Sequence, residues 1–273
     1  MSEIQSLARG IRILELIWQA GRSMGITELA EQLEIDKSSA SRLVKTLVQH
    51  GYLQHEQTSR RFVPGVRLYQ IGWELVNRMP LREKARKHLY RLVEATGECA
   101  HTAIYSEGKA LMIDDVEAEA SLRVVGGVGR MLPMHCTAVG KSLLAFAKLP
   151  MPALLDSKTP RTISDSASLA AHLSEVVCAS GYAYDDEEHE PGVRCLAAPV
   201  YNQQGIAVAA IGISGPTIRV TDDRVVALAE FVRRAAAELS AELADGNYSG
   251  TPHPVRARSA PPSPTNRRGG EKR

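Results

Sequence analysis

The sequence predicts an α+β fold in two parts: an N-terminal winged helix-turn-helix, joined by a linker helix to a larger α/β domain. Three observations predict it. From Thr27 to Gly51 a short capped helical stretch, a brief turn at Glu34-Ile35-Asp36 and a second helical stretch follow one another. Two strand-like runs come next, Tyr52 to Glu56 and Arg61 to Val63, around Gln57-Thr58-Ser59-Arg60, with Arg60 and Arg61 at the tip of the hairpin they predict. Beyond residue 80, strands arrive as hairpins with helices at the start, middle and end, a pattern of segregated α and β rather than of a doubly wound sheet.

The second helix of the pair, Asp36 to Gly51, is the most informative stretch. At 3.6 residues per turn Ala40, Leu43, Val44, Leu47 and Val48 fall on one stripe, which should be buried. The opposite face carries Ser38, Ser41, Arg42, Lys45 and Gln49 with no carboxylate inside the helix, and so suits an acceptor-rich, negative partner. Asp36 can cap the N-terminus through its side chain, and Gly51 can take the left-handed conformation that ends the helix. Standing alone, such a face reads as solvated surface. Beside a preceding helix and a cationic hairpin it reads as a DNA recognition helix. Ser38, Ser39, Ser41, Arg42 and Lys45 are then expected in the major groove, Arg42 placed for bidentate guanine readout, with Arg60 and Arg61 on phosphates or in the minor groove.

Upstream, Ser6 to Gln19 carries Leu7, Ile11, Leu14 and Trp18 at helical spacing, the face expected to pack under the next two helices. Downstream, Val66 to Val76 has Leu68, Ile71, Leu75 and Val76 in a helical pattern that Pro80 ends, which predicts a linker helix and a dimer contact. The expected boundaries are 1–65 for the DNA-binding domain, 66–80 for the linker, 81–244 for the second domain and 245–273 for a disordered basic tail rich in Pro, Gly, Ser and Arg.

A chain of 273 residues, 44% of them hydrophobic, can bury two independent cores. It has no apolar run of about 18 residues and no apolar N-terminal signal segment, so a soluble cytoplasmic protein without a membrane partner is expected. Its four cysteines, Cys99, Cys136, Cys178 and Cys195, lack C-x-x-C spacing, and reduced thiols are expected. The net charge of +2 is unevenly spread. Residues 1–78 hold ten Lys/Arg against eight Asp/Glu, 79–244 seventeen against twenty-one, and 245–273 six against two. Attraction to phosphate is therefore a property of the first segment and the tail.

In the second domain, Leu81 to Ala95 predicts a helix closed by Gly97, and Cys99 to Ser106 with Ala110 to Val116 a hairpin. Leu122 to Val125 is a further candidate strand. Thr137 to Lys148 and Ser166 to Ala179 read as helices. Leu196 to Tyr201 and Ile206 to Ser214 form a second hairpin, the latter run apolar throughout and hence central in its sheet. Thr221 to Leu243 closes the domain as a long helix with Asp222 and Asp223 in its first turn.

Chemistry concentrates in three stretches: Leu132 to Lys141, Asp185 to Cys195, and Ile211 to Gly215. Thr137 to Lys141 opens a helix whose free N–H groups make a carboxylate or oxyanion seat, and Ser214 and Cys195 can each add a donor. His135, Cys136, Asp185, His189 and Cys195 are metal-ligand types, but their spacing matches no compact zinc motif, so neither metal nor cofactor is expected. Two other classes stay open on the residues alone. One is a cysteine hydrolase with Cys195 as nucleophile, His135 or His189 as base and an Asp as orienter, which needs a thiol held beside an imidazole. The other is a constitutive architectural DNA-binding protein with no effector. No catalytic residue is assigned.

The stretches Ser6-Leu-Ala-Arg-Gly-Ile-Arg-Ile-Leu14, Ile26-Thr-Glu-Leu-Ala30, Arg42-Leu-Val-Lys-Thr-Leu47 and Gly51-Tyr-Leu53, in this order and spacing, resemble the IclR-type family of bacterial transcription regulators. Glu34 departs from the glycine often found in the turn. The three chemistry-bearing stretches resemble the same family, which implies a GAF-like α/β effector-binding domain. The resemblance also implies a pocket for a small, often acidic or aromatic, metabolite. By position it is formed by Leu132, Ala138, Val139, Asp185, Cys195, Gly212 and Ser214. Gly212 stands where some relatives have a second serine, which leaves room for a bulkier or less polar ligand. The implied function is not enzymatic. It is a ligand-responsive regulator, expected to repress a catabolic or metabolic operon, that binds a palindromic double-stranded operator as a homodimer or homotetramer.

Overall fold

A computed structural model describes residues 3–57, 59–147 and 149–246. The basic tail expected from Asp245 lies, beyond Gly246, outside the described residues. The chain divides into two compact units, Met1–Met79 and Pro80–Arg273.

The first unit holds α1 (Gln5–Ala20), α2 (Ile26–Gln32), α3 (Lys37–Gln49), the strands β1 (Leu53–His55) and β2 (Phe62–Pro64), and α4 (Val66–Asn77). β1 and β2 pair antiparallel with Leu53 opposite Pro64 and His55 opposite Phe62. Glu28 accepts from the Gly25 amide at 3.1 Å and starts α2. The α2–α3 turn places Glu34 in the left-handed region, φ 52°, the conformation a glycine adopts without strain. Ile13, Leu16, Ile17, Met24, Leu29, Val44, Leu53 and Phe62 form the core.

The packing of α1 corrects the expected face. Ile13, Leu16 and Ile17 point inward, while Leu7, Ile11 and Trp18 are 62%, 48% and 69% exposed. α1 carries two apolar stripes, and helical spacing cannot tell which one meets the core. None of the residues of α4 is buried, although Tyr69, Trp73 and Leu75 are large and apolar.

The second unit runs α5 (Pro80–Thr96), β3 (Cys99–Ser106), β4 (Lys109–Val116), β5 (Met131–Leu132) and α6 (Ala138–Phe146). It continues with α7 (Ser166–Ala171), a π-helical turn (His172–Val177), α8 (Cys178–Ser180), β6 (Ala183–Asp186), β7 (Val193–Tyr201), β8 (Ala207–Pro216) and α9 (Asp222–Asp245). The strands form one antiparallel sheet in the order β5-β4-β3-β8-β7-β6. All of β8 is buried, as befits its central place. Glu107 and Gly108, at φ 48° and 80°, make the tight β3–β4 turn. Leu122 to Val125 is not a strand. The edge is taken by Met131–Leu132, which pairs with Leu111 and Ala110, and the 122–127 segment is irregular chain.

Alternation along the strands sends successive side chains to opposite faces. α6 covers Ala103, Ala110, Met112, Ala183, Ala197 and Ala210 on one face, and α5 and α9 pack on the other. Among the described residues no helix is long and apolar enough to cross a membrane.

Candidate functional site

Two places concentrate chemistry, one in each unit. In the first, Asp36 caps α3: its Oδ1 accepts from the Ser39 amide at 2.8 Å and from the Ser38 hydroxyl. Those bonds, the Ser38 hydroxyl foremost, hold the Asp36 carboxyl well below the usual range. The cap orders the first turn of the helix. Ser38, Arg42 and Lys45 are exposed, Ser39 and Ser41 half-buried, and the Arg42 and Lys45 side chains bond to nothing else among the described residues. Two cations thus stand free on a fixed helix.

The wing separates the two arginines that the sequence puts at its tip. Arg60 is exposed. Arg61 turns back onto the body: its guanidinium donates to the Ser23 carbonyl at 2.8 Å, to the Ser23 hydroxyl at 3.2 Å and to the Glu28 carboxylate. Arg22 also pairs with Glu28 at 2.7 Å, and this bond leads the set that lowers the Glu28 carboxyl to about 2.

In the second unit a cavity of about 620 Å³ opens between the sheet, the N-terminus of α6 and the 122–130 and 189–193 segments. Strand register builds its floor. Asp185, Cys195, Ser214 and Cys99 stand opposite one another across β6, β7, β8 and β3. All four face the cavity, with Leu132, Ala138 and Val139 on its walls. Six of the seven expected effector residues therefore converge there. Gly212 does not line it. A Cβ at Gly212 would stand 2.3 Å from the Leu196 carbonyl, so close approach of β7 demands a glycine, and no extra ligand room results.

Thr137 caps α6, its Oγ1 accepting from the Gly140 amide at 3.2 Å and donating to the Pro133 carbonyl at 2.6 Å. Ala138 and Val139, the first residues of α6, line the cavity, at the end of a helix where the first amides have no helical partner and the dipole is positive. Arg123 and Arg130 line the rim. Asp185 accepts from the Glu188 and His189 amides at 2.8 and 3.3 Å, yet burial raises its carboxyl to about 7.

Burial and the neighbouring Asp185 push the Cys195 thiol well above its usual range. Its sulfur accepts from the Ser214 hydroxyl at 3.1 Å. His135 Nε2 instead meets the Asp156 carbonyl at 3.0 Å, and His189 Nδ1 lies 3.8 Å from Cys136. Neither imidazole is placed to activate Cys195, and a thiol so disfavoured as thiolate is a poor nucleophile. Among the described residues no group of three or more His, Cys, Asp or Glu is arranged to hold a metal.

Sequence reasoning missed two parts of the cavity and one tie behind it. His101 and Cys99 come from β3, where a lone histidine in an apolar run was the available signal. The segment from Leu122 to Gly127 forms wall instead of strand. Lys141, fully buried, donates to the Glu188 carboxylate and the Tyr184 carbonyl, tying α6 to the loop that carries His189.

Residues 6–57 match the family description "IclR helix-turn-helix domain", and residues 73–241 match "Bacterial transcriptional regulator IclR C-terminal". The HTH-type transcriptional regulator BhcR of Paracoccus denitrificans is 34% identical, over 90% of this chain and 90% of its own. The transcriptional repressor IclR of Escherichia coli is 33% identical, over 87% and 89%. The crystal structure of the Thermotoga maritima IclR is similar at a TM-score of 0.70 and 29% identity, covering 89% of this chain and all of that one.

Proposed function

Because this chain belongs to the IclR family of bacterial transcriptional regulators, a family of regulators and not of enzymes, we propose that it is an effector-responsive repressor of a metabolic operon. In this reading α3 enters the major groove of a palindromic operator, with Arg42 reading a guanine, Ser38, Ser39, Ser41 and Lys45 on neighbouring bases and phosphates, and Arg60 on the backbone beside it. The observation that carries it is the pair of free cations, Arg42 and Lys45, on a helix whose first turn Asp36 locks.

The protein acts as a homo-oligomer, dimer or tetramer. What supports this is α4, which buries none of its residues and leaves Tyr69, Trp73 and Leu75 uncovered, a face that a second copy of the chain fits. A small organic acid binds the cavity, its carboxylate on the Ala138 and Val139 amides. It changes operator affinity only so far as it prefers one of two arrangements of the protein.

In vitro selection from a random duplex library tests the reading. Wild type should enrich a two-fold symmetric site, Arg42→Ala should lose that enrichment, and an acid that stabilises the protein thermally should shift affinity for the selected site. Enrichment of no sequence by wild type refutes the reading.

A further inference from the structure

The polar floor of the cavity has a direction. Ser214 donates its hydroxyl proton to Cys195 Sγ at 3.1 Å. Ser214 Oγ also meets His101 Nδ1 at 3.5 Å. With its own proton committed, the hydroxyl can only accept there, so Nδ1 carries the imidazole proton and Nε2 a lone pair. Burial lowers His101 to about 4, and the ring is neutral in ordinary buffers. The ring's hydrogen bond among the described residues is the one through Nδ1, which leaves Nε2 without a partner there, and His101 lines the cavity.

We propose that His101 is a specificity-determining residue of this pocket. Held by Ser214 as the Nδ1–H tautomer, it offers Nε2 as an acceptor and selects a hydroxycarboxylic acid whose hydroxyl donates to it. The proposal rests on the reading of this cavity as an effector site with the Ala138 and Val139 amides as its carboxylate seat. An oxo acid or a methyl ether brings a second lone pair to Nε2 where a proton is needed. Either leaves a buried acceptor unpaired, which lowers affinity roughly tenfold or more.

Calorimetry on the full-length protein with matched pairs tests it: lactate against pyruvate, and 3- and 4-hydroxybenzoate against their methyl ethers. At least one hydroxy acid should bind, roughly tenfold tighter than its partner, and His101→Phe should bring the two members of that pair to equal affinity. Independently of any variant, the ¹⁵N spectrum of histidine-labelled wild type should show His101 protonated at Nδ1 and bare at Nε2. Equal affinities within every pair in wild type, or a proton on Nε2, overturn the role of His101 and leave the effector reading standing. If no acid of either kind binds, both fall.

Discussion

Arg61 donates to the Ser23 carbonyl at 2.8 Å, so the inner arginine of the wing is spent on the protein itself, while Arg60 beside it is exposed. The two should answer differently to removal. Arg60→Ala should weaken DNA binding for all sequences and flatten the salt dependence by about one phosphate contact. Arg61→Ala should leave the salt slope alone and lower the melting temperature of the protein. Equal loss of slope in both variants would place both side chains on DNA.

Arg42 is expected to read a base. Arg42→Ala should cost about 1–3 kcal/mol on the preferred operator and relax discrimination at a single base pair, whereas Lys45→Ala should weaken all operators alike. Binding to a set of operators with every base pair varied distinguishes the two. Unchanged affinity ratios in Arg42→Ala would assign it to phosphate.

Glu34 occupies a left-handed position, φ 52°. Glu34→Gly should stabilise the protein by about 0.5–1 kcal/mol, and Glu34→Ala should not, because only glycine relieves the clash of its Cβ. Urea midpoints of the two variants check this.

Burial raises the Asp185 carboxyl from 3.8 to about 7. The folded chain therefore holds a proton between those values that the unfolded chain has released. The resulting stabilisation is full below about pH 4 and lost as pH rises through about 7. Asp185→Asn keeps an acceptor for the Glu188 amide and does not titrate. Its stability relative to wild type should rise from pH 4 to pH 8 by on the order of 3 kcal/mol. Parallel curves would show that Asp185 is ionised in the fold throughout.

Lys141 is fully buried against Glu188, whose other oxygen has no partner. Lys141→Met should destabilise by about 3–5 kcal/mol by leaving a buried carboxylate without its cation, and adding Glu188→Gln should recover much of the loss. Equilibrium unfolding of the single and double variants measures the coupling.

The elements were legible where local chemistry decides them. Asp36 and Thr137 announce their helices because a short oxygen-bearing side chain satisfies amides that a helix start leaves open. The β3–β4 turn is written in Glu107-Gly108, and the central place of β8 in its unbroken apolar run. Six residues of the cavity could be named because the stretches that carry them resemble the family's effector-domain motifs.

What stayed hidden depends on which surfaces meet. α1 offers two apolar stripes, and only packing shows that Ile13, Leu16 and Ile17 take the core. Leu122 to Val125 has strand composition but no partner edge, because Met131–Leu132 holds it. Arg61 looks like a DNA contact until Ser23 and Glu28, distant in the chain, come within reach. The sequence by itself thus determined the helix-turn-helix, the wing, most of the strands and helices, and the resemblance to the family. Tertiary structure alone decided which cations are free, why Gly212 must lack a side chain, and that His101 stands over Ser214. Local rules act within a few residues, whereas these relationships are set by strands and helices that meet only once the chain has folded.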